Sequence, residues 1–233
     1  MMDFIKGEIF AIDKPYRMSS FGALAHIRYV LSKRLKRKVK IGHAGTLDPL
    51  ATGILVLCTG KKTKEIERLQ THTKEYVATL QLGATTPSYD MEHTVNHTYP
   101  VGHITRKMVE DVLPQFVGEI QQVPPTYSAV KVNGDRAYAL RRAGEDVTLK
   151  PKTVVIETID LTDYCDRTKQ LTLRVVCGKG TYIRALARDL GRALQTGAFL
   201  TSLRRTRVGD FNVGNTVSFE NFNDWLDQQD IEY

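Results

Sequence analysis

Residues 40–53 read KIGHAGTLDPLATG, three glycines and a proline that run directly into the apolar stretch 54–58 (ILVLC). A segment punctuated in this way cannot continue as a helix or a strand, so the chain must lay a loop against a buried strand here. Pro49 biases Asp48 away from the helical region, and the glycines let the backbone approach a neighbour closely. That would hold a carboxylate out on a constrained loop. The same residues also suit a helix start, with Asp48 as N-cap and Pro49 at the first helical position, and local sequence leaves both readings open.

No internal repeat or low-complexity linker interrupts the rest, which reads as one mixed α/β unit. Strands are expected over 7–13, 54–58, 75–82, 154–161 and 171–177, from apolar and β-branched runs. Ser19 or Ser20 can cap a helix over 21–32, where Leu24, Ile27, Val30 and Leu31 recur at helical spacing. Shorter helices are expected near 105–116 and 137–143. Asn133-Gly134, between 127–132 and 135–138, signals a type I′ hairpin. The clearest helix is 181–194: Ile183, Leu186, Ala187, Leu190 and Leu194 form its apolar stripe, and Arg184, Arg188 and Arg192 a basic ridge beside it.

With 42% hydrophobic and 25% charged residues in 233, the chain can bury a core, which excludes general disorder. The apolar stretch 49–60 stops at Lys61 and Lys62, short of the ~20 residues a spanning helix needs, so no membrane association is expected. Asp3, Lys6, Glu8 and Asp13 break up any apolar leader. Cys58, Cys165 and Cys177 are an odd set without CxxC spacing, pointing to a reducing, cytoplasmic setting rather than a disulfide framework or zinc site.

The net charge of +7 hides an asymmetry. Residues 218–233 hold five acids and no base, and setting those five aside leaves +12 on the first 217. Seven of the bases fall within 28–40, with no acid among them, and arginine triplets follow at Arg136/Arg141/Arg142, Arg184/Arg188/Arg192 and Arg204/Arg205/Arg207. Arginine grips phosphate bidentately and stacks on bases, so nucleic acid is the leading partner, against the plainer reading of solvated faces.

Absences prune the chemistry. GxSxG, GxGxxG, GxxxxGK[ST] and the zinc-deaminase signature are all missing. Residues 60–63 (GKKT) lack the upstream glycine of a phosphate loop. His93 and His97 lie in a segment too poor in helix formers to present both to a metal.

Four ordered segments carry a resemblance. HAGTLDP at 43–49, continued by Gly53-Ile54-Leu55, is similar to the catalytic motif of the TruB family of tRNA pseudouridine synthases. Asp13-Lys14-Pro15 with Ser19-Ser20 resembles its N-terminal motif, 127–138 (YSAVKVNGDRAY) its thumb-loop motif, and 177–191 (CGKGTYIRALARDLG) its third catalytic-site motif. Tyr16-Arg17 stands where the family has a small residue and glycine, and His93 where it often has glycine.

The resemblance implies a pseudouridine-synthase fold of α+β type, a mixed and largely antiparallel sheet flanked by helices with a central RNA-binding cleft. It implies isomerisation of uridine 55 in the T arm of tRNA, without cofactor or metal, by a chain expected to act as a monomer with no protein partner. The target base must be flipped out to be reached. Asp48 is the implied nucleophile, at C6 of the ring or C1′ of the ribose. Arg184 is implied to pair with it, and Tyr76 to stack on the uracil and serve its C5 proton. His43, Tyr182, Leu203, Lys64, Lys131 and Asp90 are the implied substrate and RNA positions. Without the family, Tyr76 reads as a core aromatic, Arg184 as part of the ridge, His43 as a satisfied loop histidine and the lysines as solvated.

The expected organisation is a catalytic domain over 1–217, with a thumb-like segment at 124–151, and an acidic tail over 218–233, without the PUA domain of many bacterial relatives. Rival readings are a related synthase acting on another RNA, alone or guided by partner proteins, and an RNA-folding chaperone with little catalysis.

Overall fold

The computed structural model describes residues 1–132 and 134–232. In chain order its elements are β1 (Ile9–Lys14), α1 (Ser20–Arg34), β2 (Ile41–His43), β3 (Thr52–Thr59), α2 (Ile66–Gln70), β4 (Lys74–Leu82), β5 (Ala84–Thr85), β6 (His97–Thr98), α3 (Arg106–Val112), β7 (Gly118–Gln122), β8 (Lys131–Val132), β9 (Asp135–Arg136), α4 (Ala137–Arg142), β10 (Lys152–Cys165), β11 (Gln170–Cys177), α5 (Ile183–Ala193), β12 (Ala198–Val208), β13 (Phe211–Asn212), β14 (Val217–Ser218) and α6 (Phe222–Asp227). This is the α+β class expected, with mixed, mostly antiparallel strand pairing and flanking helices. Among the described residues no helix is long and apolar enough to cross a membrane. Two compact units emerge, one of Met1–Glu75 with 204–232 and one of Tyr76–Leu203.

In the first unit the strand order is β14-β1-β3-β12, with β2 on β3 and β13 on β12. β3 is buried almost throughout, and the two-residue period of a strand divides its side chains between two clusters. Leu55 and Leu57 join Phe10, Ile12 and the apolar face of α1, while Ile54, Val56 and Cys58 join Ala11, Leu69 and Val208.

The start of α1 uses both serines. Ser19 is the N-cap, its hydroxyl accepting from the Gly22 amide at 2.9 Å. The helix ends in a Schellman turn: the Arg37 amide donates to Ser32 O and the Lys36 amide to Lys33 O, with Lys36 left-handed at φ 50°.

The acidic segment is folded into this unit. β14 pairs in parallel with β1, and Phe222 and Leu226 of α6 are buried beside Phe10, whose ring stacks on Phe222 at 6.0 Å. Burying two such side chains contributes roughly 1.5–3 kcal/mol each.

In the second unit the order is β12-β4-β11-β10-β7. β10 and β11 form a long antiparallel pair with two register shifts, and β7 borders β10 over 152–156. The helix expected over 105–116 is α-helical only to Val112. It then tightens into a 3-10 turn at Leu113–Phe116, where Pro114 brings no amide. β8 and β9 pair as a two-residue hairpin; the turn type expected at Asn133-Gly134 involves Asn133, which lies outside the described residues.

The basic ridge expected on α5 is corrected. Arg184 and Arg188 are buried, at 4% and 7% exposure, and only Arg192 reaches solvent. Arg188 is consumed internally by a two-pronged bond to Asp189 (2.8 and 3.0 Å) and by the Val123 carbonyl (2.9 Å).

Candidate active site

Asp48 follows β2 and precedes β3, on a loop rather than at a helix start. The Ala51 amide donates to Asp48 O at 3.0 Å, closing a turn across Pro49, and no helix follows. The N-cap reading is therefore replaced by the constrained loop.

Three groups of the first unit fasten that loop. Ser20 Oγ accepts from the Leu47 amide at 2.8 Å and donates to the Leu47 carbonyl at 2.9 Å, one residue before Asp48. Arg205, 1% exposed, donates from Nε to Ile54 O (2.7 Å) and from Nη2 to Gly45 O (3.0 Å), so one guanidinium ties the entry of the loop to its exit. Lys14, fully buried at 0%, points Nζ at the carbonyls of Met18 (2.6 Å), Pro15 (2.9 Å) and Pro49 (3.4 Å).

Gly53 closes the loop at φ +102°. A Cβ there would run into the Arg205 backbone, which gives this glycine a steric reason.

The fastening groups also set the local charge. Burial pushes Lys14 down to about 8, the Asp48 carboxylate opposing that shift and Arg205 adding to it. His43, the last residue of β2, is held below the usual histidine range by burial first and by Arg205 second. Its Nδ1 is buried without a hydrogen-bond partner among the described residues. A neutral ring is thus maintained near a permanently charged guanidinium. Lys64 lies in the 3-10 turn Gly60–Glu65 and is exposed.

The second unit gathers another group. Tyr76, near the start of β4, is buried at 8%. Arg184, in the first turn of α5, donates to Ser88 O (3.1 Å) and Tyr127 O (2.9 Å), and its Nε lies 3.7 Å from Asp90 Oδ2. Asp90 is oriented in turn by the Ser88 hydroxyl (2.5 Å) and the Glu92 amide (2.9 Å). His93 sits within 3.0 Å of Ser88 Oγ and against the Tyr127 ring at 4.5 Å.

Tyr182 is the N-cap of α5 and has no side-chain cap of its own. Gln122 of β7 supplies one from across the unit: its Oε1 accepts from the Tyr182 amide (2.9 Å) and its Nε2 donates to Tyr182 O (3.2 Å). Leu203 is half-buried at the last position of the unit, and Lys131 is exposed on the short hairpin.

Sequence reading missed Ser20 as more than a cap, Arg205 and Lys14 as loop fasteners, and Gln122 altogether. The arginine triplets misled in one respect. Arg204 is bidentate with Asp13 (3.0 and 2.6 Å), Arg205 is buried, and at the surface Arg141 pairs with Asp146 (2.8 Å) and Arg142 with Glu92 (2.9 Å), so much of that charge has partners within the protein.

Residues 33–183 match the family model described as TruB family pseudouridylate synthase (N terminal domain). The chain belongs to the TruB family. Residues 184–233 match a second model, tRNA pseudouridylate synthase B C-terminal domain, which takes in the acidic segment. The family relatives include a curated tRNA pseudouridine synthase B of Bacteroides fragilis, 57% identical over 99% of both chains. One of Flavobacterium johnsoniae is 45% identical over 96% of this chain and 98% of its own. Among solved structures, a chain of a Cbf5-Nop10-Gar1 complex matches with a TM-score of 0.72 and 28% identity over 96% of this chain. This chain spans about half, 55%, of that one's length.

Proposed function

We propose that this protein converts the T-arm uridine 55 of tRNA to pseudouridine, with Asp48 as nucleophile. The observation that carries the reading is the 57% identity to a curated tRNA pseudouridine synthase B along almost the whole of both chains. The fastened Asp48 loop gives that identity a chemical form.

In this reading the uridine leaves the stack and enters the enzyme. Asp48 attacks C6 of the ring or C1′ of the ribose, the N1–C1′ bond breaks, and the detached uracil turns. C5 then bonds to C1′, the bond to Asp48 breaks, C5 loses its proton and N1 takes one up, so that no atom is gained or lost overall. Lys14 and Arg205 place buried positive charge around the Asp48 loop, through the carbonyls of Pro49 and Gly45. Tyr76 stacks on the uracil and serves the C5 proton, Arg184 pairs with Asp48, and Tyr182 and Leu203 wall the base. His43, neutral, fills space left by flipped bases, while Lys64, Lys131 and Asp90 contribute to RNA binding. The chain acts as a monomer in the cytoplasm without a guiding protein.

The test is tritium release from tRNA carrying uridine tritiated at C5, because C5 loses its hydrogen when it becomes the glycosidic carbon. Wild-type protein should release tritium, and Asp48→Asn should release none while binding tRNA within a few-fold. Turnover by Asp48→Asn would remove the nucleophile role. Absence of release from wild-type protein that still binds tRNA tightly would favour another RNA substrate or a chaperone.

A further inference from the structure

Lys6, Lys40 and Lys61 are far apart in sequence, and the first unit brings them to one place. The Lys61 amide donates to Lys6 O at 2.8 Å, and the neighbouring Gly60 amide donates to Lys40 O at 2.9 Å. β1 and β2 both run antiparallel to β3, so the approaches to β1 and β2 and the exit from β3 share one end of the strands. All three lysines stand at that end, just outside the strands they precede or follow, and all are exposed.

Their charge is not spent locally. Among the described residues none of the three ammonium groups has a carboxylate within 4.0 Å. The nearby acids are turned to the backbone: Asp3 Oδ1 accepts from the amides of Ile5 and Lys6 (3.0 and 2.7 Å), and Glu8 Oε1 from that of Asp3 (2.7 Å). Glu65 is occupied by Arg68 at 2.9 Å. The acid-free run from Arg28 to Lys40 leads into the same place. A lysine ammonium is a compact point charge suited to phosphate, so the partner this cluster fits is a nucleic-acid backbone.

The position relative to Asp48 matters. The Asp48 loop joins the end of β2 to the start of β3, hence lies at the opposite end of the same strands. An eight-residue strand separates the two ends by about 25 Å. We propose that Lys6, Lys40 and Lys61 form a phosphate-contact surface that holds the substrate RNA beyond its T arm, one strand length from the reacting uridine. This rests on the proposed function for the identity of the RNA.

The experiment compares wild-type protein with Lys6→Gln/Lys40→Gln/Lys61→Gln on full-length tRNA and on an isolated T-arm stem-loop. The triple variant should raise KM for tRNA about ten-fold at unchanged kcat. It should also make the log–log salt dependence of tRNA binding less steep by about 2 to 3, since each phosphate contact contributes roughly 0.9 to that slope. On the stem-loop the two proteins should agree within two-fold. The corresponding triple arginine variant should behave as wild type, which separates charge from folding.

An unchanged KM and salt slope on tRNA would overturn the proposal, as would an equal penalty on the stem-loop or a loss confined to kcat. If wild-type protein makes no pseudouridine, the functional reading fails, and the salt slope of tRNA binding still decides the lysine surface.

Discussion

The hydroxyl of Ser20 and the backbone of Leu47 exchange two hydrogen bonds, amide to Oγ at 2.8 Å and Oγ to carbonyl at 2.9 Å, both buried. A helix start is thereby clamped to the residue before Asp48. Ser20→Ala leaves an N–H and a C=O unsatisfied in the interior, at about 1–3 kcal/mol for each such group. The variant should lose about 2 kcal/mol in urea denaturation. Its kcat for tRNA should fall about ten-fold or more with KM within two-fold, because displacing Asp48, the proposed nucleophile, affects the chemical step and not docking. An unchanged kcat would show that the loop holds Asp48 without the clamp.

Arg205 spans the same loop from the other side, with Nε on Ile54 O and Nη2 on Gly45 O. A lysine has the charge and lacks the fork, so Arg205→Lys should lower both stability and kcat. Arg205→Met should do so further, and it carries a separate signature at His43. Arg205 is the second cause, after burial, of the lowered His43 pKa. Removing the cation should move the His43 titration upward, toward the ordinary histidine value, as followed by NMR of the ring protons. A His43 titration that does not move would show that burial alone holds the ring neutral.

Lys14 gives a pH dependence whose sign is fixed. Its folded pKa, about 8, lies below the ordinary 10.5, so the unfolded chain binds the extra proton between those values and stability rises with pH across that window. The difference in unfolding free energy between wild type and Lys14→Met should therefore grow in favour of wild type from pH 8 toward 10.5, by up to about 3 kcal/mol. Below pH 8 the difference should be flat. Urea denaturation at pH 7 and 9.5 measures it, and an equal difference at both would mean that Lys14 titrates normally in its buried site.

Much of the architecture was legible because one residue type carried it. The buried strand at 54–58, the stripe on α5 and the Ser19 cap all follow from local pattern. The acidic segment was not legible in the same way. Its five acids dominate its composition, while Phe222 and Leu226, only four apart, do the packing. The arginines failed for a related reason: sequence counts charges and does not see that Arg184, Arg188 and Arg205 are turned inward onto carbonyls, which only tertiary placement decides. Asp48 stood out because glycine and proline marked its loop, whereas nothing local distinguished the glutamine at 122 from the one beside it.

Gln122 therefore offers the sharpest separation of architecture from chemistry. It caps the start of α5 through the Tyr182 amide and carbonyl, two residues before Arg184, and it lies 1% exposed on β7. Gln122→Met preserves length and burial while removing both bonds, which frees the first turn of α5 to fray. The expected loss is about 2 kcal/mol of stability. Amides 183–186 should exchange faster, and kcat should fall about ten-fold as the Arg184 guanidinium loses its fixed approach to Ser88 and Tyr127. Direct replacement of Arg184 by lysine should lower kcat without quickening that exchange. If Gln122→Met quickens exchange and leaves kcat intact, then Arg184 is held by its own carbonyl partners and not by the start of the helix that bears it.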